Sequence, residues 1–167
     1  MANERLLPIF VASLAAGLAA SLTACGLHLQ GADKLSPQMS VTFVEADDTH
    51  TEFHQALIAA LDRAGARIAT VRELATTIVS IEKDESGQRV LSVSAQNTPR
   101  EYEVYYTVTF AVHAGSKQLL RPETVTLNRD YSFDERALLA KGREEEVLRA
   151  ALANDIVGIV MRRLASL

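Results

Sequence analysis

Residues 102–112 read YEVYYTVTFAV. Over that stretch Tyr102, Val104, Tyr106, Val108, Phe110 and Val112 fall on one side of a two-residue repeat, and Glu103, Tyr105, Thr107 and Thr109 fall on the other. Successive side chains of a strand point to opposite faces, so a run this long commits the chain to a sheet with one apolar and one polar face. A second run, residues 125–133, sets Val125, Leu127, Tyr131 and Phe133 against Thr124, Thr126, Asn128, Asp130 and Ser132. Ala114-Gly115-Ser116-Lys117 supplies the turn between them.

Other segments complete the sheet and cover it. Val41 and Phe43 alternate with Ser40 and Thr42 in a short first strand, and Asp47-Asp48-Thr49 ends it with helix-capping chemistry. Phe53, Leu57, Leu61 and Ala64 recur at three- and four-residue steps and predict a helix over 52–64, with Gly65 as its stop. A further strand starts near Thr76 with Ile78, Val79 and Ile81. The polar residues 84–88 either turn it into a hairpin or bulge it before Val90, Leu91 and Val93 resume. Leu148, Leu152, Ile156, Ile159 and Val160 form one stripe of a closing helix predicted from Glu144, with acidic residues in its first turn and Arg162-Arg163 near its end. The order predicts an α+β fold, two helices packed on one face of a roughly four-stranded sheet. The Thr- and Tyr-rich face is left for water or a polar partner.

The amino-terminal region is of another kind. Residues 6–22 carry no charge, and Leu22-Thr23-Ala24 leads to Cys25, the one cysteine of the chain. A lone cysteine makes no internal disulfide. A charged start, an apolar run and small residues before a cleavage point make a signal peptide, and Leu22-Thr23-Ala24-Cys25 fits the lipobox of bacterial lipoproteins. Acyl chains on Cys25 would anchor the protein, each buried methylene contributing about 0.8 kcal/mol and two chains sufficing where one is marginal. The predicted organisation is a removed signal peptide over 1–24, a lipidated tether over 25–38 and a single domain over 39–167. Removing 24 of the 167 residues leaves 143, enough for one core without disulfides.

A formal charge of −4 provides no broad basic footprint and argues against nucleic acid as a partner. His50 and His54 flank Glu52, but the spacing is not HExxH and no third ligand is near, so no metal site is assigned. His28 and His113 have no oriented partner. No nucleophile with its base, phosphate loop or carboxylate pair stands out, and the chain reads as non-enzymatic, with no cofactor. A periplasmic enzyme would need a cleft of perturbed titratable groups that the sequence does not display. Arg89, Arg100 and Lys141 each fall near the end of a predicted sheet element.

Three stretches carry a family likeness: Cys25-Gly26-Leu27-His28-Leu29-Gln30-Gly31 after the lipobox, Arg100-Glu101-Tyr102-Glu103 entering the long strand, and Ala137-Leu138-Leu139-Ala140-Lys141 before the last helix. With the order of elements, they make the mature chain resemble the LptE family of LPS-assembly lipoproteins. The resemblance implies two helices over a four-stranded sheet, acylation of Cys25, and placement at the outer membrane on its periplasmic side. It also implies a plug within the lumen of a partner β-barrel, LptD, that helps the barrel assemble and lipopolysaccharide reach the outer leaflet. It further implies lipopolysaccharide contact through basic residues at one end of the sheet. Lys141 takes the matching position after Ala137-Leu138-Leu139-Ala140, with Arg89 and Arg100 as further candidates. In the loop before Glu101-Tyr102 the family's basic residue is displaced: Ala95, Gln96, Asn97 and Thr98 fill it, and Arg100 is the nearest cation. The alternative is a scaffold lipoprotein for barrel assembly that makes no lipopolysaccharide contact. Lys141 is expected in a loop over 134–143, with Gly142 relaxing the backbone beside it.

Overall fold

The computed structural model describes residues 35–132 and 138–167, with the backbone alone over 138–142. The expectations for the signal peptide and Cys25 lie outside the described residues, as do the start of the tether through residue 34 and Phe133.

Among the described residues, five strands and two α-helices follow in the order β1 (Val41–Glu45), α1 (Glu52–Arg63), β2 (Arg67–Ile68), β3 (Thr77–Val93), β4 (Pro99–Ala114), β5 (Lys117–Ser132) and α2 (Leu138–Ala165). Short 3-10 turns at Pro37–Ser40 and Arg72–Leu74 precede β1 and β3. The sheet order is β2-β1-β3-β4-β5. β1 pairs in parallel with β2 and β3, and the β3–β4 and β4–β5 pairs are antiparallel. The α+β architecture with two packed helices is the expected one, and the sheet gains β2. Two residues are too few for any periodic signal, and β2 exists because the chain leaving α1 lies beside β1.

The core confirms the alternation in β4. Val104, Tyr106, Val108, Phe110 and Val112 are all buried, facing Phe53, Leu57 and Leu61 of α1 and Leu152, Ile156, Val160 and Leu164 of α2. In β1 the inward residues are Thr42 and Val44, while Val41 and Phe43 are only half-buried, which reverses the face expected there. The Thr42 hydroxyl tolerates burial because it donates to the Met39 carbonyl at 2.9 Å. Met39 itself is buried and supplies the apolar volume.

Helix α1 ends as expected. Gly65 takes φ +87°, the left-handed conformation that glycine adopts freely, and the Ala66 amide reaches back to the Leu61 carbonyl at 3.0 Å. Its start differs from expectation. The cap is Thr51, whose hydroxyl accepts from the His54 amide at 3.1 Å, and Asp48 instead closes a local turn on the His50 amide at 2.8 Å.

Helix α2 begins at Leu138, about two turns before the expected Glu144. Leu138, Leu139, Ala140 and Lys141 are strong helix formers, and one glycine at 142 costs about 1 kcal/mol, too little to break the run. Lys141 therefore sits in the helix and not in a loop. Its side chain lies outside the described residues.

Candidate functional site

β3 settles the choice between hairpin and bent strand: residues 77–93 form one strand with a register shift between Ile81 and Lys83. Val79 and Ile81 lie opposite Val112 and Phe110 on the helix side. Beyond the shift Asp84, Ser86 and Gln88 lie opposite Val108, Tyr106 and Val104 on that same side. The extra residue inverts the phase of the strand, as a bulge must. Strict alternation from Ile81 would send Arg89 toward the helices. The bulge sends it to the outer face, opposite Glu103.

That position gives Arg89 a partner. Its Nη2 stands 2.5 Å from Glu103 Oε1, and Asn128 Nδ2 donates to Glu103 Oε2 at 2.7 Å. Glu103 was placed on the polar face by its repeat, and it is there, yet it is only 5% exposed. A buried carboxylate needs a counter-charge and hydrogen bonds. Arg89 supplies the charge to Oε1, which accepts no hydrogen bond among the described residues, and Asn128 supplies the hydrogen bond to Oε2. Farther along the same face Thr107 meets Thr126 at 3.0 Å and Thr109 meets Thr124 at 2.8 Å, cross-strand hydroxyl pairs that leave the face polar.

Where β3 turns into β4, the tip is organised by Ser94. Its hydroxyl accepts from the amides of Gln96 and Thr98, both at 3.2 Å, and its carbonyl accepts from the Asn97 amide at 2.9 Å. Asn97 has φ +62°, a region that asparagine enters more readily than most residues. Two more register shifts lie at this tip, between Val90 and Ser92 and between Ser92 and Val93. Val90, Leu91 and Val93 are exposed there. Arg100 is also exposed and forms no ion pair among the described residues.

β5 ends at Ser132 opposite Glu101, and α2 starts six residues later, so the topology brings the β3–β4 tip and the amino-terminal turns of α2 to the same end of the sheet. Tyr102 and Tyr131 stack there with ring centroids 5.6 Å apart, and the Tyr131 hydroxyl donates to Gln88 at 3.0 Å. Burial pushes the Tyr131 hydroxyl pKa up, and the charges of Glu145 and Glu144 add to the effect, which puts the acidic turn of α2 near this ring. Arg89 and Arg100 thus belong to one end of β3–β4, the first paired and the second open. Sequence reasoning missed Glu103, Asn128 and Gln88 as partners, because pairing across strands depends on register.

The histidines form no such constellation. His50 is largely exposed and stands 3.4 Å from Asp48. No group of three or more His, Cys, Asp or Glu residues among the described residues could hold a metal ion.

Comparison with known proteins follows the same fold. The profile of a family described as LptE, lipopolysaccharide-assembly, matches residues 37–164. A crystal structure of rare lipoprotein B from Shewanella oneidensis is 25% identical, covering 75% of this chain and 94% of that one, with a TM-score of 0.66. A solution structure of lipoprotein B from Nitrosomonas europaea is 23% identical, covering 84% and 91%, with a TM-score of 0.70. A minor lipoprotein from Acinetobacter baumannii is 16% identical, covering 77% and 92%, with a TM-score of 0.63. No curated protein sequence matches.

Proposed function

The chain belongs to the LptE family of lipopolysaccharide-assembly proteins, and from that membership we propose that it acts as an outer-membrane lipoprotein, acylated at Cys25, that plugs and helps assemble an LptD β-barrel. It binds lipopolysaccharide through Lys141, Arg100 and Arg89 and assists its insertion into the outer leaflet. The role is one of binding and scaffolding, with no catalytic step.

The observation that carries this reading is the family match over residues 37–164, which spans nearly all of the described fold. The lipobox before Cys25 and the lipoprotein names of the similar structures support an anchor. The polar outer face of the sheet suits a plug, since wide barrels are lined with polar groups. Lipid A carries phosphates. A lysine offers them a point charge and an arginine a bidentate fork, and Arg100 has no competing carboxylate among the described residues.

The test is binding of lipopolysaccharide to the purified full chain at low and high salt, beside copurification of a barrel partner from detergent-solubilised outer membrane. Lys141→Asp and Arg100→Asp are each expected to weaken binding in a salt-sensitive manner with the melting temperature nearly unchanged, Lys141→Gln separating lost charge from lost structure. Undiminished lipopolysaccharide binding in all three variants would remove Lys141 and Arg100 as the contacts, and copurification of the barrel with no binding by the wild type would leave a scaffold without ligand contact. Absence of a stoichiometric barrel partner would remove the plug.

A further inference from the structure

Gly87 and Tyr105 face each other across β3 and β4 on the outer side of the sheet, and the tyrosine side chain lies across the glycine. A Cβ built on Gly87 would stand 2.6 Å from the Tyr105 hydroxyl and 2.9 Å from Cζ, closer than real side chains approach. Glycine inside a strand weakens it and often marks close approach of another group. Here the glycine clears the space in which the ring lies down on the sheet. Along the strands Arg89 and Glu103 stand to one side of Tyr105 and Thr107 and Thr126 to the other, with Asn128 opposite it on β5. Together they line a shallow groove of about 360 Å³, at the small end of the range of about 300 to 1,000 Å³ for small-ligand sites.

The chemistry of the groove selects among ligands. Its one guanidinium and one carboxylate already pair, so the lipopolysaccharide contact proposed for Arg89 is made to sugar with that pair intact, since a phosphate would have to break it and leave a buried anion behind. An aliphatic chain would strip water from an amide and two hydroxyls without replacing it. A neutral polyol meets neither cost. Hydroxyls donate and accept, as its ring requires of Asn128, Glu103, Arg89 and the threonines, and the flat tyrosine offers its face to the C–H side of that ring. The geometry points to a saccharide site centred on Tyr105. It rests on the proposed lipopolysaccharide reading for the source of the sugar, which is the saccharide portion of that glycolipid. Arg100 lies three residues along β4 from Glu103 and at a register shift of the tip, so the groove and Arg100 are separate contact points for the proposed lipopolysaccharide.

The experiment uses the full chain in detergent and two separate probes, a lipid-free core oligosaccharide and a lipid A that carries no core. Saturation transfer from protein to sugar protons is expected with the wild type. The Kd from a saturation-transfer titration should rise about tenfold in Tyr105→Ala and in Asn128→Ala, a change of about 1.4 kcal/mol, and be unchanged in Tyr105→Phe. Lipid A binding should be the same in all four proteins. No transfer in the wild type, or equal transfer in Tyr105→Ala, overturns the site. Loss of copurifying barrel in Tyr105→Ala with oligosaccharide transfer unchanged also overturns it, and assigns this face to a protein wall. Failure of lipid A to bind while the oligosaccharide still transfers would count against the phosphate contacts alone.

Discussion

Tyr106 donates its hydroxyl to Asp84 Oδ1 at 2.8 Å, and this one bond links the middle of the sheet to the start of helix α1. The other oxygen of Asp84 accepts from Thr51, the helix cap, at 2.5 Å, and the Phe53 amide donates to the Tyr106 hydroxyl at 3.3 Å. Asp84 faces the helices only because the bulge after Ile81 has inverted its strand. A carboxylate at a helix amino terminus also meets the positive end of the helix dipole. Burial and the Asp84 carboxylate together push the Tyr106 hydroxyl pKa far up, so it remains a donor at any pH the fold survives.

Tyr106→Phe is expected to cost about 1 to 3 kcal/mol, because the Phe53 amide and Asp84 each lose a partner in a poorly solvated place. Asp84→Ala should cost a similar amount. A double-mutant cycle by urea denaturation is expected to find the two losses strongly non-additive, since both remove the same bond. Additive losses would show that Asp84 acts on the cap alone.

Phe110 and Leu152 are buried on facing elements of one core. Phe110→Ala should destabilise by about 3 to 5 kcal/mol through lost contacts and the cavity left behind. Leu152→Asp, which inserts an unpaired charge, should abolish folding altogether. Circular dichroism melts check both, and a native-like transition in Leu152→Asp would mean that this helix face is not core.

His54 is half-buried, and burial lowers its pKa below the ordinary 6.5, against smaller opposing effects of a backbone hydrogen bond and the charges of Asp84 and Asp48. His50 adds to the lowering. Protonation is therefore disfavoured in the folded state, and as pH falls through about 6.5 the unfolded chain takes up the proton first. Its contribution to stability should be lost as pH drops below that value and level off once folded His54 protonates. Urea midpoints at pH 7.5 and 5.5 are expected to differ less in His54→Gln than in the wild type. An unchanged difference would assign the acid sensitivity to other groups.

Cys25→Ser is expected to abolish incorporation of radioactive fatty acid, since serine lacks the thiolate on which the lipid is built. Fractionation should then find the protein missing from the outer membrane, where the proposed anchor would hold it. Continued labelling of the variant would remove the lipid anchor from the reading.

Much of this protein was determined by the sequence alone, because the determining pattern was local. The alternation from Tyr102 to Val112 names its own core face, the three- and four-residue steps of Phe53, Leu57 and Leu61 name theirs, and Gly65 stops its helix through a backbone freedom that needs no neighbour. The lipobox and the family likeness are equally a matter of order along the chain. Tertiary structure decided what depends on partners. The bulge after Ile81 cannot be read from the run of polar residues beyond it, since a strand and a turn share that composition. That single extra residue decides that Asp84 meets a helix cap and Arg89 meets Glu103. The face of β1 was decided by Met39, which fills the core from outside the strand, and the start of α2 by helix propensity outweighing one glycine. A two-residue strand such as β2 has no period at all, and exists only because α1 returns the chain to the edge of β1. Periodicity reports which way a side chain points from its own backbone; which side chain waits there is set by register, and register is a property of two strands at once.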